Sequence, residues 1–281
     1  MRRADGTPAE RRASATLVGV VAVGAALPFV ALGVAAFAFR WGWPDLLPSE
    51  WWWTARERAR LPIGWDYLAS PASRALEGLA TSAGLAAVVT LFGLALAWPA
   101  ARVLAHERFR GRALVEGVFL APLLVPELAI GLGLATWATQ VGLAGTLWGV
   151  GLVHLVPVLP YLVRTLTAVE RGFDRDLADA ARVHGATAWE VTWYLRLPLL
   201  GPGVAAATLF AFLVSVHVVV LTVLIGQGRV ETTAVQLFAR LGGGGLLDPI
   251  TAGLALLLTL PALVLLVVLE AALRRRTPLP S

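Results

Sequence analysis

Leu128–Val163 reads LAIGLGLATWATQVGLAGTLWGVGLVHLVPVLPYLV, 36 residues with no Asp, Glu, Lys or Arg. As one helix it would run about 54 Å, against a bilayer hydrocarbon core of about 30 Å. It must therefore fold back, and Thr139, Gln140, Gly142 and Gly145 mark the turn. Its first arm extends backwards through Pro126 and Pro122 to about Ala113, which gives two spans, 113–137 and 146–163. Working outward, Ala13–Phe39, Gly78–Ala101, Leu197–Gly228 and Pro249–Leu269 are equally uncharged, and they place further spans at 16–39, 78–101, 203–225 and 250–270. Lipid offers no partner to a bare backbone group, and runs this long satisfy every N–H and C=O only as helices. The expected fold is all-α: a polytopic membrane protein of six transmembrane helices. One domain covers 16–275, between tails 1–15 and 276–281.

Composition agrees. The chain is 58% hydrophobic and 15% charged, with mean hydropathy +0.75, where soluble domains hold about 45–50% apolar and about 25% charged residues. This composition argues against a soluble enzyme and for a membrane protein. All 23 basic residues are Arg; without Lys there is no phosphate-binding loop of the G-x-x-x-x-G-K-S/T kind, so the chain does not hydrolyse ATP by that route. With no Cys there are no disulfides, no thiol catalysis and no thiolate zinc site. Four His are too few for a metal tract, and no metal or cofactor is expected. The first apolar run is well beyond the about 7–15 residues of a signal-peptide core, so it reads as a span.

Arginine sets the orientation. With the N-terminus inside, 16 arginines fall on cytoplasmic segments and 7 on outer ones, which favours both termini in the cytoplasm of an inner-membrane protein. The outer loop 40–77 holds Trp41, Trp43, Trp51, Trp52, Trp53 and Trp65, six of the 11 tryptophans. Such a cluster suits an interfacial aromatic belt or a docking surface for an extracellular partner.

The inside segment 164–202 is longer than a turn and has its own signals. Asp174 can cap a helix with Asp176 in its first turn. Leu177, Ala180, Ala181 and His184 recur at helical spacing as a narrow apolar stripe. Gly185 stands where a helix ends in the left-handed conformation. Thr187 and Glu190 form a capping box that starts a second helix. Trp189 and Trp193 share one face of it, and Pro198 is expected to end it, with Leu197 pushed out of the helical region. The alternative is an amphipathic hairpin lying in the interface.

At these residues the chain resembles a family. Asp179-Ala180-Ala181, three residues, Gly185, nine residues, Leu195, one residue, then Leu197-Pro198 is similar to the E-A-A-x3-G-x9-(I/L)-x-L-P loop of permease subunits of binding-protein-dependent ABC importers. The resemblance covers residues 63–275, and Asp179 stands where Glu is usual. It implies a coupling loop that docks its short helix into an ATPase subunit. Gly185 makes the turn, Ala180 and Ala181 seat against the ATPase, and Asp179 pairs with the ATPase's basic residues. It also implies ATP-binding cassette ATPase subunits, an extracytoplasmic solute-binding protein, and a second permease copy or related permease as partners, within the lipid bilayer and with no nucleic acid. Span 5 and Ile225-Gly226-Gln227-Gly228-Arg229 resemble permeases of the thiamine, polyamine and ferric-iron group.

Ionisable groups at membrane depth are functional candidates by default. His217 in span 5, with Ser215 and Thr222, is the expected pathway group, and Glu127 beside Pro126 is a second. Glu116 suits an interfacial position, and His154, ahead of Pro157 and Pro160, suits a hydrogen bond to a freed carbonyl. Two rival classes remain open: an intramembrane enzyme using Glu127, His154 and His217 as metal ligands or acid–base groups, and a self-sufficient secondary transporter or channel, for which few intramembrane charges and no inverted repeat are seen.

Overall fold

The computed structural model describes residues 8–276 apart from 43, 61 and 244–247. Helix α1 (Pro8–Phe37) leads into strands β1 (Ala38–Arg40) and β2 (Glu50–Trp51), then α2 (Gly64–Ala69). Then come α3 (Ala75–His106), α4 (Arg112–Leu124), α5 (Glu127–Gln140) and α6 (Leu147–Arg171). The chain continues with α7 (Arg175–Val183), α8 (Ala188–Glu190), α9 (Leu197–His217), α10 (Val220–Gly226), α11 (Thr233–Gly242) and α12 (Pro249–Arg276). Five helical stretches are long and apolar enough to cross a bilayer, and the bent pair α4–α5 makes up to six. The all-α membrane fold is as the apolar runs dictate.

The chain packs as two compact bodies. The larger holds Ala75–Ala239 with Leu257–Ser281 and is built on α3, α6 and α9. Its packing follows from small side chains. Ser82, Ala86, Thr90, Gly93, Ala97 and Ala101 are all buried on one side of α3. In lipid, helices associate by close van der Waals fit, which small residues permit. At Gly93 a Cβ would lie 2.8 Å from Leu162 Cδ1. On α6 the buried positions Val150, His154, Val158, Leu162, Leu166 and Glu170 recur every four residues. Val89, Val153, Ala207, Ala211, Leu221 and Ile225 complete this core.

Two spans depart from the sequence expectation. The span expected at 113–137 is two helices, α4 and α5, meeting at 101° across Val125–Pro126. Pro126 forces the preceding residue to extend, and Val125 does so at φ −96°, ψ 134°. The span expected at 203–225 begins earlier and breaks: α9 stops at His217, Val218 is extended (ψ 113°), and α10 resumes at Val220. The fold-back between 140 and 146 is as expected, with Gly142 and Gly145 both at φ +73° and the Thr146 hydroxyl capping α6 through Gly149 N at 3.0 Å.

The smaller body holds residues up to Arg74 with Arg240–Leu256. The loop expected at 40–77 is folded here, and β1 pairs antiparallel with β2, a strand pair the all-α reading did not include. Its tryptophans serve that fold as well as any interface. Trp52 Nε1 donates to Ile63 O at 2.9 Å, Trp41 Nε1 to Asp45 O at 3.0 Å, and Phe37 stacks on Trp65 at 5.5 Å. Trp51 stacks on Trp53 at 5.0 Å. Trp43 lies outside the described residues.

Candidate functional site

Two places in the larger body combine exposed chemistry with unusual backbone. The first is the hairpin of α7, Gly185 and α8. Asp174 Oδ1 accepts from Asp176 N at 2.9 Å and starts α7. The helix ends at His184, and Gly185 turns the chain at φ +90°. Thr187 and Glu190 close a full capping box: Thr187 N donates to Glu190 Oε2 at 2.7 Å, and Glu190 N to Thr187 Oγ1 at 3.2 Å. Trp189 and Trp193 pack together at 5.1 Å and stay exposed, as does Tyr194.

The structure sorts the residues of the expected coupling loop by face. Ala178 and Ala181 turn inward, onto a small core with Phe173, Val191 and Leu200, while Leu177, Ala180 and Val183 face out. So Ala180 is exposed, and Ala181 is partly covered by its own chain. Asp179 bonds Arg182 Nη1 at 3.0 Å, one turn along the same helix, and both are exposed. Leu195 packs into the same small core. Leu197 corrects the expectation: it is helical at φ −62°, ψ −40°, and α8 runs through a widened π turn, Val191–Arg196, into α9. A π turn relieves the clash and missing donor that Pro198 brings, so Pro198 sits in the first turn of α9 and starts it instead of ending α8.

Under the hairpin lies an ion pair that sequence reasoning missed. Glu170 and Arg196, both buried, meet at 2.7 Å. His106 Nε2 is 3.3 Å from the same carboxylate oxygen, and the Arg196 guanidinium lies 4.3 Å over the Phe173 ring. Two contacts on one carboxylate thus tie the ends of α3 and α6 to the π turn that follows the hairpin. Glu170 is in register with Leu162 and Leu166 on α6, a sequence signal that it points inward; its partner, 26 residues on, has no such signal.

The second place is a cavity of about 450 Å³ lined by Val125, Glu127, Tyr161, Val214, His217 and Val218 among others. Both helix breaks open onto it. Non-helical backbone at membrane depth is tolerated where it is buried in protein or lines a cavity. Glu127 and His217 therefore share one site, both exposed to it. His217 Nδ1 is 2.8 Å from Leu213 O.

Ser215 and Thr222 are not with His217. They are buried and clasp His154: Ser215 Oγ is 3.0 Å from Nδ1 and Thr222 Oγ1 2.8 Å from Nε2. His154 bonds these hydroxyls across α6, α9 and α10, and no freed carbonyl is needed. With both ring nitrogens engaged, His154 is not available to join Glu127 and His217 as a ligand set, and among the described residues no three His, Asp or Glu side chains gather as a metal site. Glu116 pairs with Arg112 at 3.0 Å, one turn away on α4.

Residues 90–278 match the family model for the binding-protein-dependent transport system inner membrane component. The chain belongs to this family. Relatives of this transport-system component include the spermidine/putrescine transport system permease protein PotC of Escherichia coli, 25% identical over 170 residues, 60% of this chain and 64% of PotC. The osmoprotective compounds uptake permease protein GgtD of Synechocystis sp. is 31% identical over 208 residues, 72% of this chain and 69% of GgtD. The match to PotC spans less than two thirds of that relative. The fold is similar to a chain in the crystal structure of a bacterial ABC transporter involved in the import of the acidic polysaccharide alginate. The TM-score is 0.63, with 16% identity, over 96% of this chain and 99% of that one. Neither an intramembrane enzyme nor a self-sufficient transporter is favoured by this membership.

Proposed function

We propose that the chain is the permease subunit of an ATP-driven importer. It forms the substrate translocation pathway, and a separate ATPase subunit supplies the energy. The observation that carries this is the α7–Gly185–α8 hairpin. It exposes Ala180, Leu177 and Val183 beside Trp189 and Tyr194, and it is braced beneath by the Glu170–Arg196 pair. A helical hairpin that sets these apolar side chains beside the exposed Asp179 and Arg182 suits a cleft on a partner, and family membership makes an ATPase the fitting one. Asp179 would exchange Arg182 for a basic residue of that ATPase. The absence of Lys supports placing ATP hydrolysis on the partner. A solute-binding protein on the outer side and a second permease, identical or related, complete the assembly. The cavity at the two helix breaks is the pathway station, with Glu127 and His217 in it; Ser215 and Thr222 support it through His154.

Substituting Gly185→Val tests the hairpin. A Cβ at φ +90° costs about 1–2 kcal/mol, enough to distort the turn while the open space around it leaves the bundle alone. The variant is expected to insert in the membrane, capture less ATPase on co-purification and lose uptake. Asp179→Ala is expected to lose less, since an exposed ion pair is worth about 0.2–1 kcal/mol. Normal capture and uptake in Gly185→Val would remove the hairpin from coupling.

A further inference from the structure

We infer that the cavity at the two helix breaks takes an organic cation, a protonated amine or guanidinium, with Glu127 as its counter-charge; the inference rests on the pathway reading above. The argument is an inventory of what the cavity offers. Glu127 is the first residue of α5, exposed, and among the described residues its carboxylate makes no ion pair and no hydrogen bond. The N-terminal turn of α5 favours the charged carboxylate and leaves the place of a counter-ion open. His217 adds a second acceptor. Its Nδ1 faces the Leu213 carbonyl at 2.8 Å, and a carbonyl only accepts. Nδ1 therefore carries the proton, and in the neutral ring Nε2 is a bare lone pair. Tyr161 supplies a phenol and an aromatic ring, which attracts cations. Among the described residues no Arg lines the cavity, and the chain has no Lys. The remaining lining is apolar, from Pro122, Val156 and Leu221 among others.

That set selects by charge and by donor count. An anion would meet the Glu127 carboxylate, and the positive end of α5 is already matched by that same carboxylate. A neutral polyol would find acceptors for its hydroxyl protons but one hydroxyl donor, Tyr161, for its oxygens. A donor-rich cation satisfies the carboxylate and the imidazole nitrogen together. The volume, about 450 Å³, falls within the about 300–1,000 Å³ of small-molecule sites.

The chain has no cysteine, so single cysteines report on the cavity without background. Val214→Cys and Ile130→Cys both line it. In membranes holding the assembled transporter, each would be treated with a cationic trimethylammonium-ethyl methanethiosulfonate and with the anionic sulfonatoethyl reagent. Rates are normalised to the two reagents' reactivity with a free thiol. The expected result is modification at both positions, with the cationic reagent favoured by about tenfold or more. Adding Glu127→Gln should bring the ratio close to one, Glu127→Asp should keep it, and Glu116→Gln, which alters the carboxylate paired to Arg112, should leave it unchanged. Equal rates, or a cation preference that survives Glu127→Gln, would overturn the cation assignment while leaving the pathway in place. No modification by either reagent would overturn the pathway reading itself.

Discussion

The two histidines of the bundle exchange the hydrogen-bond partners their sequence positions suggest: His217 meets a backbone carbonyl and His154 meets the hydroxyls. His217 sits beside Ser215 and Thr222 in the sequence, yet the hydroxyls of those residues meet His154. The reason is angular. Ser215 and His217 are two residues apart on a helix, roughly 200° around it, so both cannot face the same neighbour. Thr222 follows the break at Val218–Val219, which resets the direction of every later side chain. His154 was the legible one: it falls on the four-residue register of Val150, Val158 and Leu162, which a core-facing position shares. The consequence is measurable. His154→Ala strips Ser215 of its partner and is expected to lower stability by about 1–3 kcal/mol. Thr222 keeps its bond to Val218 O at 2.8 Å. His217→Ala, at an exposed position, is expected to stay within about 0.5 kcal/mol while changing uptake. Unfolding of the detergent-purified protein, followed by tryptophan fluorescence, separates the two, and equal destabilisation would contradict this division.

Among elements, the hairpin was the most legible because each of its signals is local. An Asp cap, a Gly at φ +90° and a Thr-x-x-Glu box need no tertiary information. What the sequence concealed were consequences of packing: that Ala181 turns inward, that a π turn absorbs Pro198, and that two apolar runs are broken helices. Hydropathy registers apolar length and is blind to a 101° bend. Pro126 restricts the residue before it without fixing a bend angle, and no proline marks the break at Val218. The close pairing of α3 with α6 belongs to this scale as well. Gly93→Val would put a branched side chain into Leu162, and overpacking of this kind costs about 1–3 kcal/mol. The variant is expected to unfold at lower temperature, and Leu162→Ala in the same chain should recover part of the loss. A Gly93→Val protein as stable as the parent would mean that α3 and α6 do not pack this closely.

At the scale of the whole molecule, the question is which face of the membrane the hairpin meets. Charge carries the answer because translocating arginine is costly, and short loops near span ends retain it on the inner side. On the orientation we propose, the chain's 16 to 7 arginine bias favours 102–112, 164–202 and both termini inside, with 40–77 outside. The bias is independent of the hairpin's own motif in its other parts: Arg2, Arg3, Arg11 and Arg12 precede the first span, and Arg102, Arg108, Arg110 and Arg112 follow the second. An ATPase lives where ATP does, so the coupling role requires that 164–202 be cytoplasmic. Reporter fusions after Arg12, Arg58, Arg110 and Arg275, each read by an enzyme active on one side only, should report inside, outside, inside and inside. Moving the bias should move the answer: Arg108, Arg110 and Arg112 replaced together by Gln would weaken retention of that loop, and mixed signals at 110 are then expected. An outside signal at Arg110 in the unaltered chain would put the hairpin on the wrong side of the membrane for an ATPase, and the coupling proposal would fall with it.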